Sequence, residues 1–187
     1  ASSGSYVSGA RLRLTDSNDR EVETFTTSNA PYVIEGLAYG TYYLEEVEAP
    51  AGYIKTDEVV EINFNSSNSS SSVYTISNTT GGLTIRKIDS ETGEAVSGAL
   101  LEISDGNEVI ETFRTTETAH TLSNLSEGTY YVRELEAPNG YIVDNTRYEV
   151  TISNDNPNYD LVIRNRPITV NLGKIDARTG EYISGAT

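Results

Sequence analysis

The chain has 187 residues, a formal charge of −15, and no Cys, Met or Trp. Without cysteine there are no disulfide staples or thiolate metal sites, and the lack of oxidisable sulfur suits a protein outside the cell. So acidic a surface repels phosphate backbones and anionic membranes, which argues against nucleic-acid and membrane-surface binding, and no apolar run approaches a membrane span. No signal peptide opens the sequence, so it reads as a mature or excised segment. Thirteen Tyr, fifteen Gly and many Thr, Val and Ile favour strands and turns. With no long stretch of helical periodicity, the expected class is all-β.

In chain order, the first distinctive segment is GTYYLEEVEAPAGYI at 40–54, followed by a serine tract from Ser66 to Ser72, read as a flexible loop tip, and a terminal strand VYTISN at 73–78. From 81 onward the expected strands are 83–89, 99–104, 109–114, 119–123, 129–136, 147–153 and 159–165. Asp105-Gly106-Asn107 and Ala137-Pro138-Asn139-Gly140 have the residue types of turns. The segment GTYYVRELEAPNGYI at 128–142 repeats 40–54, and Phe113-Arg114-Thr115 repeats Phe25-Thr26-Thr27.

A repeat of this length is too long for a solenoid unit and suits a small β-sandwich. The expected organisation is a first sandwich at 1–80 that lacks an opening strand, a complete sandwich at 81–167, and a tail at 168–187. The tail, ITVNLGKIDARTGEYISGAT, copies the opening GGLTIRKIDSETGEAVSGA of 81–99, so the chain reads as a permuted slice of an array. Domains this small bury a modest core and often need an added staple.

Strand side chains alternate faces. Leu83, Ile85 and Lys87 share a face, as do Ile168, Val170, Leu172 and Lys174 in the tail. Leu161, Ile163 and Asn165 share a face, matched by Tyr74, Ile76 and Asn78. Tyr130, Val132 and Glu134 share a third, matched by Tyr42, Leu44 and Glu46. Three apolar rows therefore end in Lys, Glu and Asn. Taken singly, each reads as a snorkelling lysine or a rim salt bridge; recurring together, they point to chemistry. Burial lowers the lysine pKa and raises that of the glutamate. A neutral amine is a nucleophile, and a protonated acid can polarise the Asn carbonyl and shuttle the proton. Loss of ammonia would leave an amide crosslink, formed once per molecule, which is maturation rather than enzymatic turnover.

These segments, together with LTIRKIDSETGEAVSGALLEI, resemble the collagen-binding protein B-type domain, also called SpaA-like or prealbumin-like. The resemblance spans essentially the whole chain. It implies reverse-immunoglobulin-like β-sandwiches, occurrence in surface adhesins, pilins and stalks of Gram-positive bacteria, and an internal Lys–Asn isopeptide bond assisted by Glu. Carried over by position, Lys87, Glu134 and Asn165 form the site of the complete domain. Glu46 and Asn78 match in the first domain, where the lysine is absent, and Lys174 is the remaining motif lysine.

The tail either inserts as a donor strand into the first domain of a neighbouring copy, with Lys174 bonding to that copy's Asn78, or belongs to a further domain of a longer array. The expected function is a force-carrying repeat of an extracellular fibre, pilus or adhesin stalk, on the cell surface or attached to the cell wall, whose partners are copies of itself or adjacent repeats. A second reading is an adhesin module that engages a host or matrix ligand through its loops. No cofactor or metal is expected. His120 aligns with Tyr32 and reads as a strand surface residue, Asp16, Asn18 and Asp19 as a polar hairpin tip, and Glu136 as solvated. The N-x-S/T triplets at Asn65, Asn68, Asn78 and Asn124 read as incidental.

Overall fold

A computed structural model describes residues 5–67 and 72–184. They contain twelve strands and no helix. In the first repeat, β1 (Arg11–Asp16), β2 (Glu21–Thr26), β3 (Gly40–Glu48) and β4 (Val59–Phe64) form one sheet in the order β2-β1-β3-β4.

The second repeat holds β5 (Gly81–Asp89), β6 (Leu100–Ser104), β7 (Val109–Arg114), β8 (His120–Leu125), β9 (Gly128–Glu136), β10 (Tyr141–Ile142), β11 (Arg147–Ile152) and β12 (Asn158–Pro167). These make two sheets, β10-β12-β5-β8 and β11-β9-β6-β7. Between them lies an aliphatic core that includes Leu83, Ile85, Leu101, Ile103, Val132, Val150, Ile152 and Ile163. Period-two alternation builds it: β5 is buried at Leu83, Ile85 and Lys87, while the intervening Thr84 and Arg86 are half-buried and exposed.

The first and last strands of this sandwich, β5 and β12, run parallel and pair from Asn158↔Gly82 to Asn165↔Asp89. Strand edges fall within two residues of the expected ones. The addition is β10, whose two residues are too few to show a period. The Asp105 turn joins β6 to β7: its Oδ1 accepts from the Asn107 and Glu108 amides, both at 2.8 Å, and Gly106 takes φ 94°. His120 departs from the surface reading. It is half-buried and stacks on Phe113 at 3.7 Å, as Tyr32 stacks on Phe25 at 4.1 Å.

Among the described residues, the first repeat forms one sheet, which corresponds to β11-β9-β6-β7. The expected strand at 73–78 is not one, nor is 32–37, the counterpart of β8. The reason is topological. In the second repeat β5 lies between β12 and β8 and supplies the backbone partners of both, and no described strand takes that place in the first repeat. Its core is correspondingly open. Ile76 is half-buried where Ile163 is fully buried, and Tyr74 is 37% exposed where Leu161 is 8% exposed. Of the serine tract, residues 68–71 lie outside the described residues, as do 185–187 of the tail.

The tail carries β5's sequence without its pairing. Val170 and Leu172 are 71% and 92% exposed, against 0% and 2% for Leu83 and Ile85. Its turn nevertheless matches the one after β5 bond for bond. Asp176 N donates to Glu181 O (2.9 Å) and Ile183 N to Lys174 O (2.8 Å), as Asp89 N does to Glu94 O (2.8 Å) and Val96 N to Lys87 O (2.9 Å).

β5 starts in a tight place. A Cβ on Gly81 would lie 2.6 Å from Ile152 Cγ2 and 2.7 Å from the Leu125 carbonyl. Gly81→Ala is expected to destabilise the second repeat by about 1–3 kcal/mol, read as a lowered urea midpoint at unchanged slope.

Candidate functional site

Lys87 and Asn165 come from the paired strands β5 and β12, two residues apart in register and on the same inward face. Glu134 comes from β9 on the opposite sheet. Its side chain is 1% exposed and that of Lys87 is 0%, so all three polar groups meet inside the sandwich. Glu134 is the bridge. Its Oε1 lies 3.3 Å from Lys87 Nζ, and its Oε2 accepts from Asn165 Nδ2 at 2.8 Å.

Backbone groups complete the arrangement. Asn165 Nδ2 also donates to the Ile142 carbonyl at 2.6 Å, and the Asp144 amide donates to Glu134 Oε2 at 2.6 Å. A carbonyl only accepts, so Ile142 decides which end of the carboxamide is nitrogen. Asn165 Oδ1 is left buried without a hydrogen-bond partner, and so is Lys87 Nζ, whose approach to Glu134 lacks hydrogen-bond alignment. Unpartnered buried polar atoms are rare in folded proteins and mark strained or reactive places.

Burial pushes the Lys87 amine below the ordinary lysine value, opposed by the negative charges of Glu134 and then Asp144. A depressed pKa enlarges the neutral, nucleophilic fraction. The geometry revises one expectation. Glu134 addresses the amide nitrogen and not the carbonyl, so it is placed to carry a proton from the amine to the leaving nitrogen, one carboxylate oxygen at each.

The first repeat reproduces this pattern without the lysine. Asn78 Nδ2 donates to Glu46 Oε2 (2.7 Å) and to the Ile54 carbonyl (3.0 Å), and the Thr56 amide donates to Glu46 Oε2 (2.9 Å). Glu46 is 2% exposed, and its Oε1, the counterpart of the oxygen facing Lys87, is buried without a hydrogen-bond partner. Lys174 is exposed in the tail, so within one chain it is not brought to Glu46 or Asn78. Glu45 and Arg133, one residue before each glutamate, face outward and pair with Arg13 and Glu102 respectively. Glu136 is exposed against Arg114.

Sequence reasoning assigned no role to the supporting residues. Asp89, two residues after the lysine, accepts from the Glu91 and Thr92 amides and from the Tyr141 hydroxyl (2.8 Å), tying the end of β5 to the β10 segment. Asp144 is held by the Tyr148 hydroxyl at 2.5 Å, and burial together with this carboxylate pushes the Tyr148 pKa up to about 12. The first repeat has Thr56 and Val60 at these two places. Contrast between the repeats was the available signal for Asp144; the Ile142 carbonyl left none.

The family model described as SpaA, prealbumin-like fold domain, matches residues 1–80 and 81–167. The chain belongs to this family. A SpaA relative among curated proteins is the trypsin-resistant surface T6 protein of Streptococcus pyogenes serotype M6, 32% identical over 71 residues. The match takes in 37% of this chain and spans 13% of the T6 protein's length. Among solved structures, the Bacillus anthracis TIE protein is 22% identical with a TM-score of 0.48, over 87% of this chain and 31% of its own. A C-terminal fragment of the pilus adhesin SpaC from Lactobacillus rhamnosus GG is 16% identical with a TM-score of 0.48, over 88% and 92%. The major pilin subunit BcpA of Bacillus cereus is 15% identical with a TM-score of 0.43, over 87% and 95%.

Proposed function

We propose that this chain is a structural repeat of a Gram-positive surface fibre, pilus or adhesin stalk whose SpaA domains are welded internally by Lys–Asn isopeptide bonds. The observation that carries the reading is the meeting of Lys87, Glu134 and Asn165 in a closed aliphatic core. In the reaction, Glu134 Oε1 takes a proton from the Lys87 ammonium. The neutral Nζ attacks Asn165 Cγ, the Nζ–Cγ bond forms, and the Cγ–Nδ2 bond breaks. Nδ2 takes that proton from Glu134 Oε2 and departs as ammonia, and the carboxylate so regenerated accepts the second proton that Nζ sheds as it becomes the amide nitrogen. Orientation of the three groups supplies the rate, and burial keeps water from competing. The product joins the first strand to the last, so tension applied at the ends of β5 and β12 passes through a covalent link before it reaches the sheet.

The same chemistry extends between molecules. The tail from Ile168 to Asp176 fills the place beside 73–78 in the first domain of a neighbouring copy, and Lys174 bonds to that copy's Asn78 with Glu46 as relay. A head-to-tail contact of this kind propagates into a fibre. Support comes from the tail's preformed turn, its exposed apolar face, and the buried Glu46 oxygen. The location at the cell surface or attached to the cell wall, and the role of adjacent repeats as partners, belong to the same proposal.

Intact mass tests the internal bond. The chain is expected to weigh one ammonia less than its sequence, and Lys87→Ala to restore the full sequence mass of the variant. An unmodified chain at full mass would falsify the weld.

A further inference from the structure

The joint between the two domains is built around one isoleucine. Ile54, at the end of the APAGYI segment, is 1% exposed, and it belongs to the buried cluster of the second domain rather than to that of its own. Its loop lies against residues 124–126. Gly52 N donates to Ser126 Oγ at 2.9 Å, and a Cβ on Gly52 would lie 3.1 Å from the Asn124 carbonyl. Asn124 takes φ 59°, uncommon for a residue other than glycine, to present that carbonyl. The Ile54 carbonyl meanwhile holds Asn78 Nδ2, so one residue serves both the site of its own domain and the core of the next.

Ile142 is the same residue one domain later. Its carbonyl holds Asn165 Nδ2, and its loop has the same turn, with Gly140 at φ 88° against 84° for Gly52. Yet Ile142 is 41% exposed, and a Cβ on Gly140 would meet nothing within 4 Å. The socket has a counterpart as well. Residues 36–38 of the first domain correspond to 124–126, and Gly36 takes φ 78° where Asn124 takes 59°. Leu37 and Phe64, the counterparts of the buried Leu125 and Ile152, are only partly buried. One element differs: Ala38 replaces Ser126, so this contact lacks the hydroxyl that Gly52 uses.

We propose that Ile142 is a docking knob for the first domain of a second copy of this chain, seating at Leu37 and Phe64 as Ile54 seats in the second domain. This rests on the head-to-tail reading above and adds to it. The tail strand delivers the lysine, and the isoleucine fixes the angle between copies, giving the joint between molecules the geometry of the joint within one. The template is the interface the chain already makes between its own two domains, and the apolar knob, apolar socket and adjoining tail strand fit a second copy as occupant.

The test separates strand insertion from docking. A synthetic peptide of residues 168–184 contains the strand and Lys174 but not Ile142. It is expected to be captured covalently at Asn78 equally well by the unmodified chain and by Ile142→Asp. Formation of SDS-resistant multimers by the chain itself is expected to slow at least about tenfold in Ile142→Asp, as for a central contact of an interface. Ile142→Asp keeps the backbone carbonyl that holds Asn165 Nδ2 and alters only an exposed side chain, so loss of the Lys87–Asn165 ammonia in this variant shows that its second domain folds. Peptide capture with multimers forming at the unmodified rate overturns the docking role and leaves insertion standing. No capture and no multimers overturn both.

Discussion

Glu134→Gln is expected to leave Lys87 and Asn165 unreacted in a folded second domain, at the full sequence mass of the variant. The substitution keeps the shape of the side chain and removes the group that accepts the amine proton, so the relay stops at its first step. The accompanying loss of stability should be large. The bond between Lys87 and Asn165 closes nearly the whole domain into one loop and restricts the unfolded chain. By the chain-entropy relation used for disulfides, a loop of this size contributes about 4–5 kcal/mol. For a domain this small that corresponds to a fall in melting temperature on the order of 20–30 °C. Calorimetry and intact mass on one sample are the check. A Glu134→Gln chain that melts with the unmodified protein and still lacks one ammonia would remove Glu134 from the chemistry.

The second large effect is expected in the first domain. Among its described residues 73–78 forms no strand, and apolar side chains such as Tyr74 and Val73 are exposed. Alone, this domain should unfold well before the second. In concentrated solution, the unmodified chain is expected to give a ladder of multimers that survives boiling in SDS. Lys174→Ala removes the nucleophile, Asn78→Ala the acceptor and Glu46→Gln the relay, and each should collapse the ladder to monomer while sparing the Lys87–Asn165 bond. The first domain's melting transition should rise as multimers form, since the inserted strand supplies backbone partners and covers the core. Monomers alone at every concentration would sink the head-to-tail reading.

The β class and the doubled architecture were legible in the linear order of residues, because strand faces follow a period of two and turns need particular residues. The repeated GTYY…GYI segment is visible in the linear order, and the family model matches 1–80 and 81–167. The same period put Lys87, Glu134 and Asn165 on inward faces, and one-residue neighbours such as Arg133 and Glu45 on the outside. Those are properties of each strand by itself, so sequence alone was sufficient for them.

Which end of the Asn165 carboxamide meets Glu134 was a different matter. It depends on the Ile142 carbonyl, and a backbone oxygen has no signature in a sequence. The parallel pairing of β5 with β12, the lack of strands at 32–37 and 73–78 among the described residues, and the reach of Ile54 into the neighbouring core were also decided only in three dimensions. Each arises where strands distant in the chain share a sheet or where domains abut. Pairing between strands and contact between domains depend on what lies alongside, and the order of residues within one strand carries no record of its neighbour.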